Sequence, residues 1–236
     1  MNTKKNTSPR REFLGNIAAG AAAFGLLSIP ESIKAAPSLF SQRPLDDADE
    51  WFNKVKGKHR IVFDFSENVG AMTFAWPKVF LLTNAGTGTP EEDCGVVVVL
   101  RHEAIPYAFE DRLWPKYKFE ENFKIKDLGP MFKAPDAKTA LKNRNPFVKT
   151  KEGDFMVPGM GAVDISIGSL QKSGVMICVC NAAISGNTAV IAGEMKMDPA
   201  KVKEDFLAGV LPGIQVVPSG VWAVGRAQEH GCQYCK

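Results

Sequence analysis

The chain has 236 residues, of which 45% are hydrophobic, so it can form one large domain or two small ones around a substantial core. Its formal net charge is only +3. Residues 1–35 hold five basic and two acidic side chains out of totals of 29 and 26, which leaves 24 of each sign in the remainder. This balance argues against nucleic acid or an anionic membrane surface as a partner, because both need an excess of basic side chains.

The N-terminus carries an export pattern. Arg10 and Arg11 form a pair that is followed by an apolar run, residues 15–29, rich in alanine and glycine. The run is too short and too weakly apolar for a membrane-spanning helix. A basic tail beside a core helix is the alternative. The pattern is typical of a twin-arginine signal peptide over residues 1–35, and it predicts an exported, periplasmic protein with no membrane span after cleavage.

The rest of the chain predicts a linker with a short helix over residues 36–58 and one folded domain over residues 59–236. Buried strands are predicted for four apolar runs: residues 59–66, 95–100, 174–180 and 214–218. Helical segments lie between them, and one of these, residues 162–172, leads into the third run. Alternating strands and helices predict an α/β domain with a mainly parallel sheet of about five strands.

Residues 106–161 interrupt this alternation, because they contain six prolines and few apolar runs. The first part of this excursion is rich in aromatic side chains, among them Trp114 and Tyr117. Three interpretations stay open at this point. The aromatic side chains fold over a site, pack against a neighbouring subunit, or pack as an ordinary surface loop.

The third predicted strand ends at Cys180, and small residues follow it into a predicted helix. Ligands and reactive groups collect at the carboxyl ends of parallel strands. At this position the backbone N–H groups of Asn181 and Ala182, together with the helix dipole, are expected to stabilise a thiolate. Cys178 lies deeper on the same face of the strand and is expected to be a core residue. A buried structural thiol is the alternative for Cys180 itself.

The second predicted strand ends at Leu100 and delivers Arg101 and His102 to the same edge of the sheet. His102 has the chemistry of a general base or a metal ligand. Both residues are therefore candidates for orienting a ligand close to Cys180.

The sequence predicts no bound cofactor. Residues 66–70 follow the first strand but lack the glycines of a phosphate-binding loop, so a nucleotide is not expected. His230, Cys232 and Cys235 form a compact group of soft ligands, but a metal site needs three or four ligands, so the group is only a weak metal candidate. If residues 232–235 are extended, the two thiols point to opposite faces and no disulfide forms.

Several blocks of the chain resemble the DsrE/DsrF-like family of sulfur-relay proteins. The most specific block, residues 211–221 continued by residues 226–231, is similar to the closing strand, turn and helix of that family. Residues 174–181 resemble its cysteine-bearing strand, with Cys180 where the family's conserved cysteine stands.

A third block, residues 100–109 with Trp114 and Tyr117, resembles a variant found among exported members of the family. The resemblance as a whole covers residues 59–109 and 160–236. It implies a flavodoxin-like three-layer fold, assembly into homotrimers or homohexamers, and a persulfide carried on Cys180.

Two functions from different classes follow. The first is an exported sulfur carrier or sulfurtransferase-like protein, in which Cys180 accepts sulfur while Arg101 and His102 orient a sulfur-donor protein or a small sulfur compound. The second is a non-catalytic oligomeric module that binds a small molecule or a metal between subunits through His102, Trp114, Tyr117 and the C-terminal cysteines.

Overall fold

The structure is a computed structural model, and it describes residues 48–236. The expected signal peptide and most of the expected linker lie outside the described residues. The first half of the described chain contains α1 (Ala48–Trp51), β1 (His59–Phe65), α2 (Met72–Gly86), β2 (Cys94–Leu100), α3 (Leu113–Lys116), α4 (Phe119–Asn122) and α5 (Ala140–Asn143). The second half contains β3 (Met156–Val157), β4 (Gly161–Ala162), α6 (Ile167–Lys172), β5 (Met176–Cys180), α7 (Asn181–Met195), α8 (Pro199–Ala208), β6 (Ile214–Val217), α9 (Gly220–Glu229) and β7 (Gln233–Cys235). Short 3-10 helices cover Phe52–Lys54, Glu91–Asp93 and His102–Ala108.

Five of the strands form one parallel sheet in the order β6-β5-β2-β1-β7. All seven residues of β2 are buried, as expected for a central strand that is covered by helices on both faces. The very short strands β3 and β4 form a separate antiparallel pair. The predicted α/β domain with a five-stranded parallel sheet is confirmed, and it has the three layers of a flavodoxin-like fold.

The two faces of the sheet have different partners. One face, which includes Phe63 and Val98, packs against apolar residues of α2, α6, α7 and α8. The opposite face, which includes Val62 and Val99, packs against α1 and α9. Because Ala48 and Trp51 of α1 are buried in this second cluster, the structured part of the chain extends upstream of residue 59.

The helix predicted over residues 162–172 is shorter than expected. Gly161–Ala162 forms β4, and the helix begins only at Ile167. The reason is local capping: Asp164 accepts a hydrogen bond from the Ser166 N–H at 2.9 Å, and the Ser166 hydroxyl accepts one from the Ser169 N–H at 3.2 Å. These side chains hold the backbone out of helical geometry up to Ser166, which is the N-cap.

The aromatic part of the excursion belongs to the core of this chain. Trp114 is 0% exposed and Tyr117 1%, and Phe206 of α8 packs against the Tyr117 ring at a centroid distance of 5.0 Å. Buried Asn145 fixes the segment by donating to the carbonyls of Tyr107 and Phe109 at 2.9 and 2.8 Å. None of the three interpretations left open by the sequence describes these aromatic side chains, because they fill the interior of the domain.

Candidate functional site at the carboxyl edge of the sheet

The chain leaves the carboxyl ends of the neighbouring strands β5 and β6 in opposite directions. After β5 it enters α7, which covers one face of the sheet, and after β6 it enters α9, which covers the other. Such a divergence of neighbouring loops is the usual ligand-binding position in open α/β sheets. Cys180, the last residue of β5, lies opposite Val217 at this point.

Cys180 occupies the N-cap position of α7. Its sulfur accepts a hydrogen bond from the Ala183 N–H at 3.2 Å. The sequence predicted that the N–H groups of Asn181 and Ala182 would stabilise the Cys180 sulfur. The Ala182 N–H donates instead to the Pro218 carbonyl at 3.2 Å. Cap geometry explains the difference, since an N-cap side chain reaches the N–H two or three residues further on. Cys180 is 5% exposed.

Arg101 lies beside Cys180. Val99 of β2 pairs with Cys178 of β5. Arg101 and Cys180, each two positions further along the chain, are therefore at the same level and on the same face of the sheet. The Arg101 guanidinium binds Asp64 in a bidentate manner, with distances of 2.6 Å from Nε to Oδ1 and 2.9 Å from Nη2 to Oδ2. The hydrogen bond to Asp64 is the main cause that raises the pKa of Arg101, and the proximity of Cys180 makes a smaller contribution in the same direction.

Asp64 is a site residue that sequence reasoning missed. It lies within β1 between two phenylalanines and is 4% exposed. Besides Arg101, it accepts a hydrogen bond from the Tyr234 hydroxyl at 3.1 Å. A carboxylate within an otherwise apolar strand was the available signal, because such a group is stable in the interior only when it is paired.

His102 and Arg101 line a cavity of about 1030 Å³ at the same edge of the sheet. The cavity is framed by residues 66–70, which follow β1, and by residues 124–131 of the excursion. His102 has a φ of +52°, a left-handed conformation that is uncommon for residues other than glycine and is enriched at functional sites. Cys180 is not among the residues that line this cavity.

Trp114 and Tyr117 lie away from this edge. Trp114 packs against the rings of Tyr107 and Phe119, and the Tyr117 hydroxyl donates to Asp205 at 2.7 Å. Neither residue lines the cavity next to His102. As candidates for contacting a ligand they are not brought to the site, because their rings are used in core packing.

The C-terminal residues His230, Cys232 and Cys235 do not converge. Cys232 belongs to the core on the α9 side of the sheet, whereas Cys235 packs against the opposite core. The ring of His230 stacks on Phe52. All five cysteines of the chain are free thiols, and within residues 48–236 no group of three or more His, Cys, Asp or Glu side chains is placed to hold a metal ion.

Burial raises the pKa of three of the other thiols. It raises the pKa of Cys178 strongly, with smaller contributions from Cys180 and Asp64. It also raises the pKa of Cys94, and it raises that of Cys232 to about 11 although Arg60 acts in the opposite direction. These three thiols stay protonated at neutral pH, so they are poor nucleophiles.

Comparison of the chain with family models, with curated proteins and with solved structures finds no match in any of the three. No helix in the described part of the chain combines the length and the apolar character that a membrane crossing requires.

Proposed function

We propose that this protein is an exported sulfur carrier, or a sulfurtransferase-like protein, in which Cys180 accepts the sulfur. The observation that supports the proposal most directly is the position of the Cys180 sulfur, which accepts a hydrogen bond from the Ala183 N–H at the start of α7, while Arg101 directly follows the neighbouring strand β2. The positive end of a helix and backbone N–H donors both favour a thiolate over a thiol. The resemblance of residues 174–181 to a family of sulfur-relay proteins points the same way.

The proposed step is a sulfur transfer without net oxidation. The Cys180 thiolate attacks the outer sulfur of a persulfide donor, R–S–SH, and forms a new S–S bond. The S–S bond of the donor breaks, and its inner sulfur leaves as the thiolate R–S⁻ with the bonding electron pair. The product is a persulfide on Cys180, which a second thiolate can accept by the same reaction.

The test is to incubate the protein with polysulfide or thiosulfate and to measure its intact mass. We expect the mass of about one sulfur atom to be added, to be removed by a reductant, and to be absent in Cys180→Ser. Cys235→Ser is the matched control, because Cys235 is the most accessible of the other thiols, and it should still take up sulfur. Sulfur uptake that survives in Cys180→Ser would refute the assignment.

A second candidate function is supported by a different observation. Cys180 is only 5% exposed, whereas the cavity next to His102 is open and has a volume of about 1030 Å³. These features favour a non-catalytic module that binds a small molecule in the cavity. In that case Cys180 resists alkylation and takes up no sulfur until the protein unfolds, and His102→Ala lowers the affinity for the small molecule.

The proposed compartment follows from the paired arginines at the N-terminus. We expect the exported protein to begin near Ala36 or Pro37, which N-terminal sequencing determines. Recovery of an uncleaved chain from the membrane fraction would contradict this expectation.

The proposed assembly, a homotrimer or homohexamer, rests on the family resemblance alone, because the aromatic side chains of the excursion are buried within one chain. Sedimentation velocity at micromolar concentration gives the test, and a monomer would contradict it.

A further inference from the structure

We propose that Asp64 and Tyr234 are positioning residues that hold the Arg101 guanidinium beside Cys180, and that the group admitted to Cys180 is therefore a small anion. This inference rests on the proposed function and specifies its substrate class: a thiosulfonate or thiosulfate, which carries an oxyanion, rather than a neutral organic polysulfide. The Cys180 thiolate forms an S–S bond with the outer sulfur of this donor, and the bond between the two sulfurs of the donor breaks, so that sulfinate or sulfite leaves with the bonding electron pair.

Burial of the Asp64 carboxylate has an energetic cost. A carboxylate in the middle of a buried strand is unfavourable unless it is paired and hydrogen-bonded. Here both oxygens are engaged, one by Arg101 and the other by Arg101 and Tyr234 together. Tyr234 comes from β7, the last strand of the chain, which pairs with β1 two residues before Asp64. Two separate strands, β1 and β7, thus contribute to fixing one guanidinium.

The Arg101 guanidinium has N–H donors that Asp64 does not use. Asp64 uses Nε and Nη2 of Arg101, and Nη1 makes no hydrogen bond with any residue in the range 48–236. The Arg101 side chain keeps 26% of its surface exposed, so solvent and small solutes reach it. A guanidinium held in one orientation presents its free N–H groups in the planar geometry that oxyanions accept.

Arg101 lies close to the start of α9. Its aliphatic part lies against Gly220, the first residue of α9, where a Cβ would come within 2.5 Å of the Arg101 Cδ. The stem of Arg101 therefore lies against the start of α9, and Cys180, the N-cap of α7, lies at the same level of the sheet. The positive ends of two helices favour negative charge there even though Asp64 offsets the charge of Arg101.

The experiment compares two alkylating reagents of similar size, iodoacetate and iodoacetamide, of which only the first is charged. Each replaces its iodide by a thiolate sulfur. The rates are measured for each cysteine by peptide mass spectrometry on the folded protein, and Cys235 is the internal reference. We expect the iodoacetate to iodoacetamide ratio at Cys180 to exceed that at Cys235 by roughly three- to tenfold.

The variants separate charge from positioning. Arg101→Gln should bring the ratio at Cys180 down to the reference value, and Arg101→Lys should keep an intermediate ratio because it retains the charge without the planar fork. Asp64→Glu and Tyr234→Phe leave the net charge unchanged, and each should lower the ratio at least twofold. The matched control is Asp136→Glu, which alters a bidentate pair with Arg144 elsewhere in the chain and should have no effect.

The anion preference at Cys180 and the positioning role of Asp64 and Tyr234 can each be overturned by a specific result. Equal ratios at Cys180 and Cys235, a ratio that survives in Arg101→Gln, or failure of both reagents to reach Cys180 would overturn it. A ratio unchanged in Asp64→Glu and Tyr234→Phe would overturn the positioning role. Should Asp64→Glu not fold, Tyr234→Phe carries that part of the test, since Tyr234 is 48% exposed and loses only a hydroxyl.

A failure of the proposed sulfur transfer looks different. In that case the anion preference at Cys180 is present, but neither polysulfide nor thiosulfate adds sulfur to the protein.

Discussion

At the scale of single residues, the five cysteines differ in what surrounds each sulfur. Cys178 and Cys180 share one face of β5, yet only Cys180 reaches the start of a helix and accepts a backbone N–H. Cys178 is fully buried among apolar side chains of the α9 side of the sheet, and burial raises the pKa of its thiol. Although they are only two positions apart on one strand, Cys178 is therefore a structural thiol and Cys180 is a candidate reactive thiol.

The prediction at this scale concerns Cys178→Ser. We expect the variant to lose roughly 1–3 kcal/mol of unfolding free energy, because the serine hydroxyl would be buried without a partner. Urea denaturation measures the loss. Cys178→Ala is the control for side-chain size and should cost less than the serine variant. Labelling of Cys180 should not change in either one, and a serine variant as stable as the native protein would contradict the prediction.

At the scale of elements, one carboxylate joins the excursion to α8. Asp205 accepts hydrogen bonds from Lys116 and from the Tyr117 hydroxyl, each at 2.7 Å, and it also pairs with Arg112. Burial opposes ionisation of Asp205, but these hydrogen bonds outweigh it and lower the pKa of the carboxyl to about 2. The ion pairs thus hold α3 on α8, above the aromatic core that Phe206 forms with the excursion.

The predicted pH dependence follows from the sign of this shift. Because the pKa of Asp205 is lower in the folded protein than the ordinary value of about 4, its stabilisation is present above pH 4 and is lost as the pH falls towards 2. Asp205→Asn should lower the unfolding free energy at pH 7 by roughly 1 kcal/mol, since its partners are partly exposed. The variant should also lose less stability than the native protein between pH 4 and pH 2.

Thermal unfolding monitored by circular dichroism over this pH range measures both effects. The matched control is Asp198→Asn on the same helix. Asp198 is the N-cap of α8, and asparagine caps a helix as well as aspartate does, so stability should not change. Equal pH profiles for Asp205→Asn and the native protein would show that this network does not stabilise the fold.

At the scale of the whole molecule, the last strand, β7, places the C-terminal segment beside the first strand, β1. The sheet grows from β1 through β2 and β5 to β6, and then α9 crosses the opposite face so that β7 pairs with the free side of β1. This closing step buries Cys232 and brings Tyr234 to Asp64. The candidate site is therefore complete only after the end of the chain has joined the sheet.

Deletion of residues 232–236 tests this dependence. We expect a loss of roughly 2–3 kcal/mol of unfolding free energy, because the deletion exposes the edge of β1 and part of the core under α9. The preference of Cys180 for iodoacetate should fall as well, since Arg101 loses support. Deletion of Lys236 alone, which lies beyond β7, is the control and should change neither quantity. An unchanged midpoint in chemical denaturation for the longer deletion would contradict the prediction.

The sequence by itself determined the elements whose signals are local. The alternation of apolar runs with helical segments predicted the parallel α/β sheet. Cys180 at the end of a buried strand was also predictable, because strand ends and helix starts are visible in a few consecutive residues. The capping turn at Asp164 and Ser166 was a local signal as well, but it was missed, and the predicted helix was consequently too long.

The tertiary structure alone decided which distant residues meet. Asp64 lies in β1, Tyr234 lies in β7 and Arg101 directly follows β2, and no local pattern states that a carboxylate in β1 pairs with residues 37 and 170 positions away. In the same way, the aromatic side chains of residues 106–161 are compatible with a lid, an interface or a core, and only their contacts with Phe206 and Phe147 place them inside. Periodicity fixes which face of an element is apolar, whereas the partner of that face depends on strand order and on the packing of the complete chain.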